Sequence, residues 1–166
     1  MLIKCTIDGV SQLLSVNADK PLNKILQERL DTFSSNSACR GAGCGNCVVL
    51  IDGQSVLSCL VPAFRLNNTS IMTIEGFKCT RPFHDIERAY RETGIMPCEQ
   101  CYASKTLLIE GLMNKLDINK PVGASLDTVF IEREMSMNSC RCLEMRQIEM
   151  VIRVAMINRR NRIVRK

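Results

Sequence analysis

Eight of the ten cysteines fall into two sets of four. Cys39, Cys44 and Cys47 lie in CRGAGCGNC, a C-x4-C-x2-C run, and Cys59 follows after one more hairpin. A [2Fe–2S] cluster has two irons that each need two protein ligands, and this spacing is that of plant-type clusters. Gly41, Gly43 and Gly45 let the backbone take positive φ and pass close to the inorganic sulfides. Backbone N–H groups can then point at the cluster sulfurs and stabilise their charge. Arg40 adds a nearby cation. Four thiolates also suit zinc, but the four-residue gap with interposed glycines favours iron–sulfur.

The second set is Cys98 and Cys101, a C-x2-C pair, with Cys140 and Cys142, a C-x-C pair. Cys98 and Cys101 are spaced to share one helix face at its first turn, where the helix dipole favours thiolate. Cys140-Arg141-Cys142 sits just before another helix. On spacing alone this set fits zinc as readily as iron–sulfur. Cys5 and Cys79 remain, and both read as small buried apolar residues.

The elements that must position these thiols change character near residues 76–78. Before that point, Leu2–Asp8 alternates, Asp8-Gly9 is a hairpin signal, and Ser11–Val16 returns as a strand. Asp19 and Pro21 mark a helix start, and Leu22, Ile25, Leu26 and Leu30 form its apolar face. Val48–Ile51, the Asp52-Gly53 turn and Ser55–Leu60 predict a second hairpin that carries Cys59 on its returning strand. Thr69–Ile74 predicts a last strand, and Glu75-Gly76 ends the half. This order suits a compact α+β domain over residues 1–76.

Residues 77–166 read as four short helices without strand signals, which predicts a bundle. The first runs over Pro82–Arg91 and stops at Gly94, and the second over Cys98–Leu116. The third is capped by Ser125 and runs through Met137, and the fourth follows Cys142 into the basic end. Seven of the nine methionines lie after residue 95 at helix-like intervals, as core filler.

Composition excludes several classes. No apolar run approaches the roughly 18 residues of a membrane span. The N-terminus lacks the basic and apolar regions of a secretory signal and reads as a strand, so the expected location is the cytoplasm. Thiols there bind metal more readily than they form disulfides. Residues 158–166 hold five of the 22 basic residues and no acid, so the remaining 17 balance the 17 acidic ones. The basic end reads as a solvated helix terminus or a subunit contact. With two Tyr and no Trp, the chain has no aromatic platform for nucleic acid. It has no GxGxxG or P-loop. His84 reads as a surface or capping residue, and Glu87, Glu92 and Glu99 as solvated faces. No catalytic residue is assigned to this chain.

Taken together, CRGAGCGNC, Ser58-Cys59-Leu60, the Cys98/Cys101 pair and Asn138–Cys142 (NSCRC) are informative in their order and separation. In these motifs the chain resembles the small iron–sulfur subunit of the molybdenum hydroxylases, the xanthine dehydrogenase and aldehyde oxidoreductase family. The resemblance implies a β-grasp, plant-type ferredoxin-like domain followed by an all-α four-helix bundle, each with one [2Fe–2S] cluster. It implies that Cys98, Cys101, Cys140 and Cys142 hold the cluster beside a molybdopterin on a large partner subunit. Cys39, Cys44, Cys47 and Cys59 would hold the cluster that passes electrons on, usually to an FAD-binding subunit. Other readings are a free-standing two-cluster carrier and a zinc-stabilised binding module. Where the family has glutamine before its C-x2-C pair this chain has Pro97; for Thr-Pro-Gly after it, Tyr102-Ala103-Ser104; and for Thr-Gly-Tyr after C-R-C, Leu143-Glu144-Met145. The resemblance thus reaches all eight ligands and stops short of the pterin-facing residues.

Overall fold

Two Asp-Gly turns organise the sheet. The computed structural model describes residues 1–30, 43–116 and 126–164. Strands β1 (Leu2–Ile7) and β2 (Val10–Ser15) pair antiparallel around Asp8-Gly9, with φ of 49° and 81°. Both values lie in the left-handed region that a two-residue hairpin turn of matching twist requires. Helix α1 (Leu22–Arg29) follows, and then β3 (Val48–Ile51) and β4 (Gln54–Leu57) repeat the device around Asp52-Gly53, with φ of 50° and 78°. Strand β5 (Ser70–Met72) completes the sheet. The order is β2-β1-β5-β3-β4, with β5 parallel to β1 and antiparallel to β3.

Alternation sends each strand's side chains to two faces. Ile3, Cys5, Ile7, Leu14, Val49 and Ile71 bury one face against Leu22, Ile25 and Leu26 of α1. Cys5 is buried here, as expected. Val48 and Leu50 point the other way and join a larger core with the helices that follow. Each fully buried Val, Leu or Ile contributes about 1.5–3 kcal/mol relative to exposure.

The two predicted strand ends differ from the observed ones. Ser58–Leu60 is a 3-10 turn, so Cys59 follows β4 rather than lying on it. The Ser58 hydroxyl and N–H both donate to the Cys47 carbonyl, at 2.7 and 3.0 Å, as a last rung of the ladder, and the Val61 N–H then bonds the Ser58 carbonyl at 3.4 Å to close the turn. Thr73 ends β5 because its N–H and hydroxyl both bond the Asp8 carboxylate, each at 2.7 Å. Its Oγ1 accepts from the Gly76 N–H, and a short helix α2 (Ile74–Phe77) starts where the sequence suggested strand and turn.

Helix α3 (Arg81–Thr93) is capped by Thr80, which accepts from the Phe83 N–H, and gives way to Gly94. Its buried stripe is Phe83, Ile86, Ala89 and Tyr90. A 3-10 turn (Glu99–Cys101) leads into α4 (Tyr102–Lys115), which is buried from Ser104 to Met113 with no polar face there, the mark of a central helix. Helix α4 lies across β3 and β4. Ser55 Oγ donates to the Leu107 carbonyl at 3.0 Å, and Asn114 Nδ2 to the Gly53 carbonyl at 3.0 Å. Helix α5 (Thr128–Met135) is capped by Asp127, which accepts from the N–H groups of Val129 and Phe130. The expected cap, Ser125, lies outside the described residues. Helix α6 (Met145–Val164) closes the core, with the Gln147 side chain reaching back to the Glu144 N–H at 2.9 Å. A mixed sheet with segregated helices is an α+β architecture, as expected. Among the described residues no helix is long and apolar enough to cross a membrane.

Three surface readings change. The basic end is solvated only in part: Val164 is exposed, but Arg159 is buried and paired with Glu110 of α4 and Asp85 of α3. Arg162 also pairs with Asp85, at 2.7 Å, while Arg165 and Lys166 lie outside the described residues. Glu92 is more than a solvated face, since it accepts from Arg88 at 2.7 Å and from Asn158 at 3.2 Å. Cys79 is exposed, because α2 turns its short C-terminal end outward before Thr80. His84 is at the surface, as expected, 3.6 Å from Glu87.

Removing one member of a buried ion-pair network strands the others without water. Arg159→Ala should therefore lower the unfolding free energy by about 3–5 kcal/mol, read as a reduced denaturant midpoint. Arg91→Ala, in an exposed pair with Glu87, should change it by less than about 1 kcal/mol.

Candidate metal centre

The turn that precedes α4 and the loop that precedes α6 bring the second cysteine set together. The sulfurs of Cys98, Cys101, Cys140 and Cys142 all lie within 4.8 Å of one another. Cys98 and Cys101 sit on the 3-10 turn rather than within the helix, and the Cys101 N–H bonds the Cys98 carbonyl at 2.9 Å. Cys98 Sγ and Cys140 Sγ are 4.0 Å apart. Cys101 is buried, Cys140 and Cys142 are half-buried, and Cys98 is exposed. Four thiols without histidine or carboxylate are a soft donor set, suited to an iron–sulfur cluster or to zinc.

The thiols differ in acidity. The Cys101 backbone N–H, and then its side chain, hold the Cys98 thiol below its ordinary value. Burial, reinforced by Cys140 and Cys98, pushes the Cys101 thiol up to about 12. Burial also raises Cys142. Cys98 is thus more acidic than Cys101 and Cys142, whose protons leave less readily.

The first set is described in part. Cys39 and Gly41 lie outside the described residues, as does Arg40. Gly43, Cys44, Gly45 and Cys47 follow in the loop that enters β3; Cys44 is exposed and Cys47 buried. The two bonds from Ser58 to the Cys47 carbonyl hold the Cys59 turn beside Cys47. Among the described residues, the group of convergent ligands is the second set; it does not include Cys44, Cys47 or Cys59.

The two loops touch. Gly45 has φ +71°, and a Cβ there would stand 2.0 Å from the Met137 carbonyl oxygen and 2.5 Å from Asn138 Cα. Asn138 Nδ2 donates to Asn46 Oδ1 at 2.7 Å, and Asn46 Oδ1 faces Cys101 Sγ at 3.8 Å. Asn46 and Asn138 lie within the quoted motifs, but the sequence reading gave neither of them a role at the site. The available signal was an asparagine two residues before Cys140, whose short side chain can bond backbone two positions on.

Two outcomes are expected. Gly45→Ala carries about 1–3 kcal/mol of backbone strain before any clash. It should weaken metal retention at the second cysteine set although it lies in the first, as read by metal analysis of purified protein. Because the protons on Cys101 and Cys142 must leave, the metal-free protein should bind Cd2+ more tightly as pH rises from about 6 to about 8, with protons released on binding. Calorimetry in buffers of differing ionisation enthalpy measures both; a pH-independent affinity contradicts the assignment.

No family model matches the chain. It is 29% identical over 140 residues to the xanthine dehydrogenase iron-sulfur-binding subunit of Escherichia coli O157:H7, covering 84% of each chain. It is 28% identical over 142 residues to the 6-hydroxypseudooxynicotine dehydrogenase complex subunit beta of Paenarthrobacter nicotinovorans, covering 86% of this chain and 85% of that one. Among solved structures, a chain of quinoline 2-oxidoreductase from Pseudomonas putida 86 superposes with a TM-score of 0.72 at 26% identity, covering 96% of both chains. The fold and the near end-to-end coverage agree: the chain is similar throughout to the small iron–sulfur subunits of xanthine dehydrogenase and aldehyde oxidoreductase family enzymes.

Proposed function

We propose that the chain is the electron-transfer subunit of a multi-subunit molybdenum-dependent hydroxylase or dehydrogenase and carries two [2Fe–2S] clusters. The carrying observation is the convergence of four thiols at Cys98, Cys101, Cys140 and Cys142, directly against the loop that holds Cys44 and Cys47. A bound [2Fe–2S] cluster accepts and donates one electron at a time. Cys98, Cys101, Cys140 and Cys142 would hold the cluster nearer the partner's molybdopterin, and Cys39, Cys44, Cys47 and Cys59 the one nearer the acceptor. On this reading Gly43 and Gly45, with Gly41 outside the described residues, would let the backbone approach the latter.

On this reading residues 1–76 are a β-grasp domain, supported by the β2-β1-β5-β3-β4 order with α1 packed on one face. Residues 77–166 form a four-helix bundle, with α3, α4, α5 and α6 as its members. Molybdopterin belongs to a large partner subunit and FAD to a second partner, and the complex works in the cytoplasm without nucleic acid. The chain supplies thiolates and backbone donors, and no catalytic group.

Iron and acid-labile sulfide analysis of anaerobically purified protein, with EPR after dithionite reduction, tests this. Four irons, four sulfides and two distinct signals are expected. Zinc alone in iron-replete preparations would establish a structural metal module instead, and a protein that elutes alone from native extract would be a free carrier. Cys142→Ser should abolish one signal and leave the other visible. Loss of both from a folded protein contradicts two separate ligand sets.

A further inference from the structure

The contact between the two cysteine loops is polar, partly buried and centred on one buried side chain. Asn138 is 4% exposed. Its Nδ2 donates to Asn46 Oδ1 at 2.7 Å and lies 3.3 Å from the Gly45 carbonyl and 3.5 Å from the Cys44 carbonyl. Its Oδ1 accepts from the Cys140 N–H at 3.2 Å. The same amide therefore touches the backbone of a ligand in each set. Ser139 Oγ adds a contact to the Cys44 carbonyl at 3.4 Å, and Asn46 reaches Cys101 Sγ at 3.8 Å. Close packing at Gly45 leaves no room for a side chain between the loops.

We propose that the Asn138 side chain is the electronic bridge between the two sites, a positioning residue that couples them through bonds; this rests on the two-cluster reading above. Electron tunnelling is faster through covalent and hydrogen bonds than across a van der Waals gap or disordered water. The Asn138 amide supplies such a route: from Cys140 along its backbone N–H to Oδ1, across Cγ to Nδ2, and on to the Cys44 carbonyl and Asn46. One electron crosses at a time, so the donor cluster is oxidised as the acceptor cluster is reduced. The amide keeps both its hydrogens, and no proton moves. The opposed hydrogen bonds also fix the distance between the loops, so the amide orders the gap as well as crossing it.

The test uses the intact complex, with flash photoreduction by deazaflavin to inject single electrons. Their redistribution between the two spectroscopically distinct clusters is followed, alongside the EPR of the fully reduced protein. Asn138→Ala removes the amide. Asn138→Asp keeps an acceptor for the Cys140 N–H and removes the donor to Asn46 and Cys44. Both variants should retain four irons and two EPR signals while exchange slows by about tenfold or more, and the spin–spin splitting between the reduced clusters should narrow. If Asn138→Ala does not hold its iron, the Asn138→Asp rate decides. Unchanged exchange and splitting in iron-replete variants overturn the bridge alone. Loss of iron from both variants in folded protein also overturns it, since the amide would then be only a scaffold. A wild-type protein with fewer than two iron–sulfur signals overturns the two-cluster reading itself.

Discussion

Strand β3 is buried on both faces, and the site depends on that. Val49 packs toward α1 while Val48 and Leu50 pack toward α4. Cys47 immediately precedes β3 and Cys101 immediately precedes α4, so seating one element on the other sets where both thiols fall. The two run in the same direction. At their starts Asn46 meets Cys101, and at their ends Asn114 meets the Gly53 carbonyl. Gly111 makes the seating possible, since a Cβ there would stand 1.9 Å from Ser55 Oγ. A strand with two apolar faces does not choose its register by burial alone. The Asp52-Gly53 turn and the pairing of Leu50 with Met72 make that choice.

The helices are locked to one another by a different force. At their far side Asp85, Glu110, Arg159 and Arg162 join α3, α4 and α6 in a network with little access to water. Such a network is weak evidence for added stability, because desolvation offsets most of the attraction. Its consequence is specificity. A helix that rotated or slid would leave a buried charge unpaired, whereas an apolar contact would tolerate the shift. Asn158 extends the restraint along α6 by donating to the Asp85 carbonyl and to Glu92. Cys142 stands just before α6, so restraint at one end of the helix limits drift of the thiols at the other.

What was legible in the sequence was local. Both Asp-Gly hairpins, the apolar face of α1, and α3 with Gly94 beyond its end follow from turn chemistry and periodicity within a few residues. The pairing of Cys98 and Cys101 with Cys140 and Cys142 was legible as spacing, and the structure brings those four together. What escaped depends on distant partners. Arg159 looked like part of a solvated tail because its partners Asp85 and Glu110 lie 74 and 49 residues away. Cys59 looked like a strand residue because the Ser58 hydroxyl, which ends the strand beside it, is held by the Cys47 carbonyl 11 residues back. Asn138 binds Gly45 across 93 residues, and no local pattern encodes that contact.

The second cysteine site has two unlike sides. Toward the first loop it meets amides: Asn138, Asn46 and the backbone of Cys44 and Gly45. Toward the helices it meets apolar groups. Pro97 and Leu143 are buried, and Tyr102 is half-buried with its ring 5.8 Å from that of Tyr90. These are the positions where the chain departs from the sequence pattern of its resemblance. An apolar wall lowers the local dielectric and excludes water, while hydrogen-bond donors stabilise added negative charge. The Asn138 hydrogen bonds on the polar side run to oxygens of the other cysteine loop rather than to the sulfurs, so that side orders the gap between the loops. The departures lie on the helical side of the site, and the polar contact between the loops lies apart from them.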